Sequence, residues 1–221
     1  MQKLLTRPET IGVVFAILAY LCFSLLDAIQ KTLIIYYSVF QILFIKYFFT
    51  FILSIIESKR KKNFKFYLTY NWRLQLLRSV LSLLESGCFI LAFRYLSLAD
   101  AHSIGALTPI FVVVFSFIFL KEEISLKIWI AVFLGFIGVL IVMRPGLSVF
   151  DPMSIIPLTG AFFLGLYQIV TRKVSASDKN ETSLFYSGLT GIFFMGFISF
   201  FFWKPVITDF IILFVGVGAF Y

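Results

Sequence analysis

An all-α bundle of membrane-spanning helices is the fold class this sequence predicts, and three observations predict it. The 221 residues are 61% hydrophobic with a mean hydropathy of +1.01, more apolar surface than a water-soluble domain hides. That surface falls into runs close to the roughly 20 residues a helix needs to cross a bilayer. The runs are continuously apolar, whereas the strands of a β-barrel alternate.

Seven runs meet the length, at about 11–33, 38–56, 76–97, 101–120, 126–143, 154–172 and 183–203, and an eighth starts near Asp209 and reaches Tyr221, giving seven spans plus part of an eighth. Lys3 and Arg7 precede the first run as they would a signal peptide, but its length and the lack of a small-x-small site make it a span. The fourth follows an expected loop at 98–101, opens with His102, Ser103 and Thr108, and contains Pro109. A proline there lacks the N–H of one helical hydrogen bond and kinks the helix, often at a cavity wall. Lys121, Glu122 and Glu123 return that span to water. Gly135 and Gly138 in the fifth run, and Gly188 and Gly191 in the seventh, have a spacing that lets helices approach closely.

The net charge of +8 would suit nucleic acid if the cations shared one face. They sit instead in short clusters between apolar runs, so no nucleic-acid partner is expected. Thirteen Lys and Arg residues, including all six of those in 59–73, fall in one set of alternate loops, and four (Lys31, Arg94, Arg144 and Lys204) in the other. This asymmetry predicts a cytoplasmic N-terminus. The 57–74 loop then reads as a topology signal, with a lipid-headgroup or partner site as the alternative.

Cys22 and Cys88 lie inside apolar runs and give neither a disulfide framework nor a zinc spacing. A single histidine and the lack of a phosphate-binding G-x-x-x-x-G-K-[ST] loop leave no expected metal or cofactor. Any transport would therefore draw on a gradient. Sliding the chain by 142 residues sets Lys31 on Lys173 and 41–44 on 183–186, a weak repeat. It divides the chain near Pro145 into a first five-span unit, 1–146, and a partial second, 147–221. Five is odd, so the two would be inverted relative to each other.

The stretch AFRYLSLADAHSIGALTPIFVVVFSFIFLKEEISLKIWIAVFLGFIGVLIV, 92–142, resembles the EamA family of the drug/metabolite transporter superfamily. Ala99 and Ala101, Pro109, Glu122, Ile124-Ser125, Gly135 and Gly138 occupy its characteristic positions, and the resemblance runs from about residue 11 to the end. It implies ten helices in two inverted five-helix repeats, a central substrate path and both termini in the cytoplasm. The sequence departs from the pattern at Lys46, where the family often has Arg, and in lacking half of span eight and spans nine and ten.

Charged side chains within a span cost roughly 2.5–3.5 kcal/mol each at its centre, so each needs a partner or an aqueous cavity. Asp27, Lys46 and Glu85 fall within about 10 Å of one another in depth, at about 1.5 Å of rise per residue, and are the expected substrate-binding cluster. A structural ion pair between spans one to three is the competing account. Tyr167 and Gln168, deep in span six, join the expected site, with a helix–helix hydrogen bond as the alternative. Arg78 is expected to snorkel to the cytoplasmic face. His102, at an interface, needs no partner.

These readings predict an inner-membrane secondary transporter of small metabolites or drugs, with a small-molecule substrate and the lipid bilayer as partners. S-adenosylmethionine uptake is one substrate the resemblance allows. The alternatives are an incomplete transporter fragment, which would insert but not transport alone, and a membrane-embedded enzyme. Ser103 beside His102 is the nearest thing to a nucleophile and base, yet neighbours on a helix point about 100° apart, so no catalytic residue is expected. No residue pattern fixes an oligomeric state.

Overall fold

The computed structural model describes residues 8–143 and 152–219, so Lys3, Arg7, Arg144, Pro145 and Tyr221, used above for topology and boundaries, lie outside it. The chain order is α1 (Pro8–Tyr36), α2 (Val39–Arg60), α3 (Trp72–Tyr95), α4 (Leu98–Gly105), α5 (Thr108–Phe115), a π-helical turn (Ser116–Leu120), α6 (Leu126–Met143), a 3-10 turn (Pro152–Ser154), α7 (Ile155–Val174), α8 (Asn180–Phe201) and α9 (Thr208–Ala219). The protein is a polytopic helical bundle. Six segments are long and apolar enough to span a membrane, with Leu98–Leu120 counted as one, and two shorter apolar helices cover Leu126–Ile141 and Thr208–Gly218.

Caps set several helix starts. The Ser38 hydroxyl accepts from the Gln41 amide and the Asn71 side chain from the Leu74 amide, both at 3.2 Å, which starts α2 and α3 at 39 and 72. Each satisfies an amide that a helix N-terminus otherwise leaves open. Ser97 does the same for Asp100 at 3.1 Å and also donates to that carboxylate at 2.5 Å. This capping pair corrects the expected loop at 98–101, because Leu98 already opens α4.

The fourth span is interrupted between Gly105 and Thr108, and Pro109 stands in the first turn of α5. Proline leaves the Gly105 carbonyl without its usual donor, and the Thr108 hydroxyl takes that place at 2.7 Å. The span ends in the π turn, after which Lys121 adopts φ 54°. Glu122 then meets Arg172 on α7 in two contacts of 2.9 and 3.0 Å, a bidentate pair on an exposed surface.

Helices α2, α3, α7 and α8 form the centre of the bundle, with α8 laid along α2, and α7 and α8 against α3; α1 and α9 pack outside, and α5 rests on α7. The α2–α8 approach depends on glycine. A Cβ at Gly188 would sit 2.7 Å from the Phe51 backbone, and one at Gly191 2.2 Å from the Tyr47 ring. The packing expected for Gly135 and Gly138 is corrected, since nothing lies within 4 Å of a Cβ at either. Helix α6 meets mainly α4 and presents Phe133 and Leu134 outward, 63% and 61% exposed, as a lipid-facing surface does.

Candidate functional site

A cavity of about 560 Å³ opens among α1, α2, α3, α4 and α7, lined by Asp27, Gln30, Lys46, Glu85, His102 and Tyr167. Tyr20, Phe23, Phe89 and Phe93 add aromatic wall. Chain direction places it. Helix α3 rises from Trp72 to Tyr95 and contributes Ser82, Glu85, Ser86, Phe89 and Phe93, while α7 descends from Ile155 and contributes Leu164 and Tyr167. The cavity therefore fills the middle of the bundle and the half nearer the 37–38 and 96–97 connections, here the far end. The opposite, basic end carries the 61–71 and 175–179 connections.

Sequence spacing brings these groups to one face. On α1, Tyr20, Phe23, Ser24, Asp27 and Gln30 recur at helical intervals, and on α3 so do Gln75, Arg78, Ser79, Ser82, Glu85 and Ser86. Lys46, 6% exposed, donates to the Ser86 hydroxyl at 3.0 Å, and Ser86 donates to the Glu85 carboxylate at 3.0 Å. A neutral hydroxyl thus bridges cation and anion. Asp27 pairs with His102 Nε2 at 3.0 Å, which corrects the expectation that this histidine stands alone. The three predicted charges, Asp27, Lys46 and Glu85, share the cavity with Tyr167; Gln168 is exposed and does not line it. The Ser103 hydroxyl donates to the Ala99 carbonyl at 2.7 Å, held on its own helix.

Arg78 does not reach the surface. It is 4% exposed and spreads its guanidinium over α7 and α8, donating to the Tyr167 hydroxyl at 3.1 Å, to Ser187 at 2.7 Å and to the Ser183 carbonyl. A guanidinium with fixed, forked donors can hold three helices at once, where an ammonium offers a single point. The polar stripe along α3 was the signal for it, because residues 75, 78, 79 and 82 share a face with Glu85. Below it, Gln75 donates to Asp178 at 2.8 Å, and Asp178 also accepts from the Thr69 hydroxyl and, at 3.2 Å, from the Tyr70 amide. Partial burial raises the Asp178 carboxyl, but those three donors outweigh it and leave its pKa below the usual value. Lys61 meets buried Glu181 at 3.5 Å, and the Tyr186 hydroxyl donates to the Tyr67 carbonyl at 3.1 Å. Tyr167 is thus both a wall of the cavity and the upper link of a polar network at the basic end.

The sequence profile of the EamA-like transporter family matches residues 10–144. The chain belongs to the EamA-like transporter family. Among individual relatives, a riboflavin transporter of Vibrio cholerae is 27% identical over 135 residues, covering 61% of this chain and 43% of that protein. An S-adenosylmethionine uptake transporter of Rickettsia bellii is 23% identical over 185 residues, covering 83% and 62%. A pseudopaline exporter of Pseudomonas aeruginosa is 28% identical over 112 residues, covering 50% and 39%. This EamA-like chain spans about half the length of the curated relatives it matches. A solved crystal structure superposes with a TM-score of 0.62 at 13% identity, covering 90% of this chain and 73% of that one, which speaks for the fold.

Proposed function

We propose that this EamA-like chain carries a small polar metabolite through the inner membrane, and that the cavity between α1, α2, α3, α4 and α7 is its binding site. The observation that carries the reading is the Lys46–Ser86–Glu85 relay beside the Asp27–His102 pair in an aromatic-walled cavity at membrane depth. Charges so placed are costly, and they accumulate in membranes where a solute or ion passes. The cavity volume falls in the range of metabolite sites. In this reading 1–146 is one repeat and 147–221 part of a second. The close pairing of α2 with α8, its counterpart under the 142-residue shift, supports it, since inverted repeats place their shared site at the interface between them. The basic end faces the cytoplasm, following the cation asymmetry, so the conformation is open toward the outside.

Binding tests this directly. Riboflavin and S-adenosylmethionine, the compounds named for two relatives, are the first probes for the purified chain in detergent. At least one is expected to bind saturably and to lose about tenfold affinity in Glu85→Gln, on the order of one charge-assisted hydrogen bond. Equal binding by wild type and Glu85→Gln would remove the cavity from the account.

A further inference from the structure

Gln30 is the unexplained residue of the cavity. It lies one helical turn beyond Asp27 on α1, is 4% exposed and lines the same space, yet its amide nitrogen Nε2 is buried without a hydrogen-bond partner. Native proteins rarely leave a buried donor in that state, because the group has given up water and received nothing in return. An isosteric leucine would fill the position without that cost, so packing does not account for the amide.

We propose that Gln30 is a specificity-determining contact that turns its side-chain amide into the cavity and donates Nε2–H to an acceptor atom, a carbonyl or hydroxyl oxygen or a ring nitrogen, on the bound solute. The inference rests on the cavity being a solute site. Its content is a choice between two classes of occupant. Asp27, Glu85 and the aromatic wall suit, by themselves, a lipophilic cation that lacks acceptors. Such a cation fills the space, shuts water out and leaves the Gln30 donor orphaned. An acceptor-bearing metabolite satisfies it. A site built to hydrogen-bond a ligand rejects analogues lacking the complementary atom, since its own polar group is then stranded. Gln30 therefore turns an aromatic, carboxylate-bearing cavity from a drug-type cation site into one for polar, acceptor-rich solutes.

The experiment compares wild type, Gln30→Leu and Gln30→Met, all as the full chain in detergent, with three probes: riboflavin, S-adenosylmethionine and tetraphenylphosphonium. Two hydrophobic replacements are used so that one poorly folding variant does not decide the outcome, and ligand-free melting temperatures at or above wild type establish the fold. The expected result is that wild type binds an acceptor-bearing probe more tightly than tetraphenylphosphonium, and that the replacements weaken the former about tenfold while leaving the phosphonium unchanged or tighter. Equal losses for both probe classes, no loss for either, or wild-type binding of the phosphonium alone would overturn the role of Gln30 and leave the cavity standing as a site. Binding of no probe would instead bring down the cavity reading, and this inference with it.

Discussion

The two ends of the bundle use their polar groups in different ways. At the basic end, side chains reach across from one set of helices to the other. Arg78 joins α3 to α7 and α8, Asp178 joins the 175–179 connection to the 61–71 connection and α3, and Lys61 joins the end of α2 to Glu181. At the far end the cations serve helix termini. Lys31 donates to the Leu96 carbonyl at 2.8 Å and Lys204 to the Tyr36 carbonyl at 2.9 Å, each placing a positive charge on carbonyls a helix leaves open. The first arrangement ties helices to one another through charged side chains. The second ties helix ends and connections together through backbone groups, with Gln41 exchanging hydrogen bonds with Lys204 and the Tyr37 hydroxyl accepting from the Ile207 amide, and the cavity lies between the two arrangements.

The comparison breaks most severely at Arg78. Arg78→Leu leaves Tyr167, Ser187 and the Ser183 carbonyl without their donor, and the expected cost is about 3 kcal/mol, from charge-assisted bonds of roughly 1.5–3 kcal/mol each with partial rearrangement. A fall in melting temperature with new thiol reactivity in a Ser187→Cys reporter is the predicted signature. A variant as stable as wild type would show that the guanidinium seals nothing.

The glycines give the next largest contrast. Gly191→Ala drives a methyl to 2.2 Å from the Tyr47 ring and must part α2 from α8, an overpacking cost of about 1–3 kcal/mol. Gly135→Ala meets nothing and is expected to be neutral or to stabilise by up to about 1 kcal/mol through helix propensity. Chemical denaturation of the two variants side by side checks this, and equal effects would dissolve the distinction between a packed and a lipid-facing glycine pair.

The smallest expected effect is acid sensitivity confined to the basic end. The folded pKa of Asp178 lies below the unfolded reference of 3.8. Its contribution is therefore present above about pH 4 and lost as the pH falls through the lower folded value. Amide exchange at Tyr70, corrected for the intrinsic pH dependence of exchange, should lose protection below about pH 4 in wild type and show no such step in Asp178→Asn. The partly exposed position keeps the effect small.

The spans were legible because a helix in lipid must be apolar over its length, and that requirement is written along the chain in one dimension. The sharing of a cavity by Asp27, Lys46, Glu85 and Tyr167 could be anticipated from depth. What depth does not carry is azimuth. Depth alone makes Arg78 a surface cation, although the polar stripe on α3 already turns it inward. Gln168 was read as a site residue although it stands 100° around α7 from Tyr167. His102 looks solitary along the chain because its partner Asp27 is on another helix. Gln30 went unremarked because an uncharged amide in a span costs too little to stand out beside Asp27. Gly135 and Gly188 have the same spacing in sequence, and only their neighbours distinguish them.

The account's central claim is a solute cavity open at one end and sealed at the other. Single cysteines at Ser24, which lines the cavity, and at Ser183, beneath Arg78, test it in a chain whose Cys22 and Cys88 are replaced by serine. A hydrophilic thiol reagent should modify Ser24→Cys rapidly, with protection by a bound probe, and leave Ser183→Cys at least about tenfold slower. Equal reactivity at the two positions, or no protection at Ser24→Cys by a probe shown to bind, would contradict it.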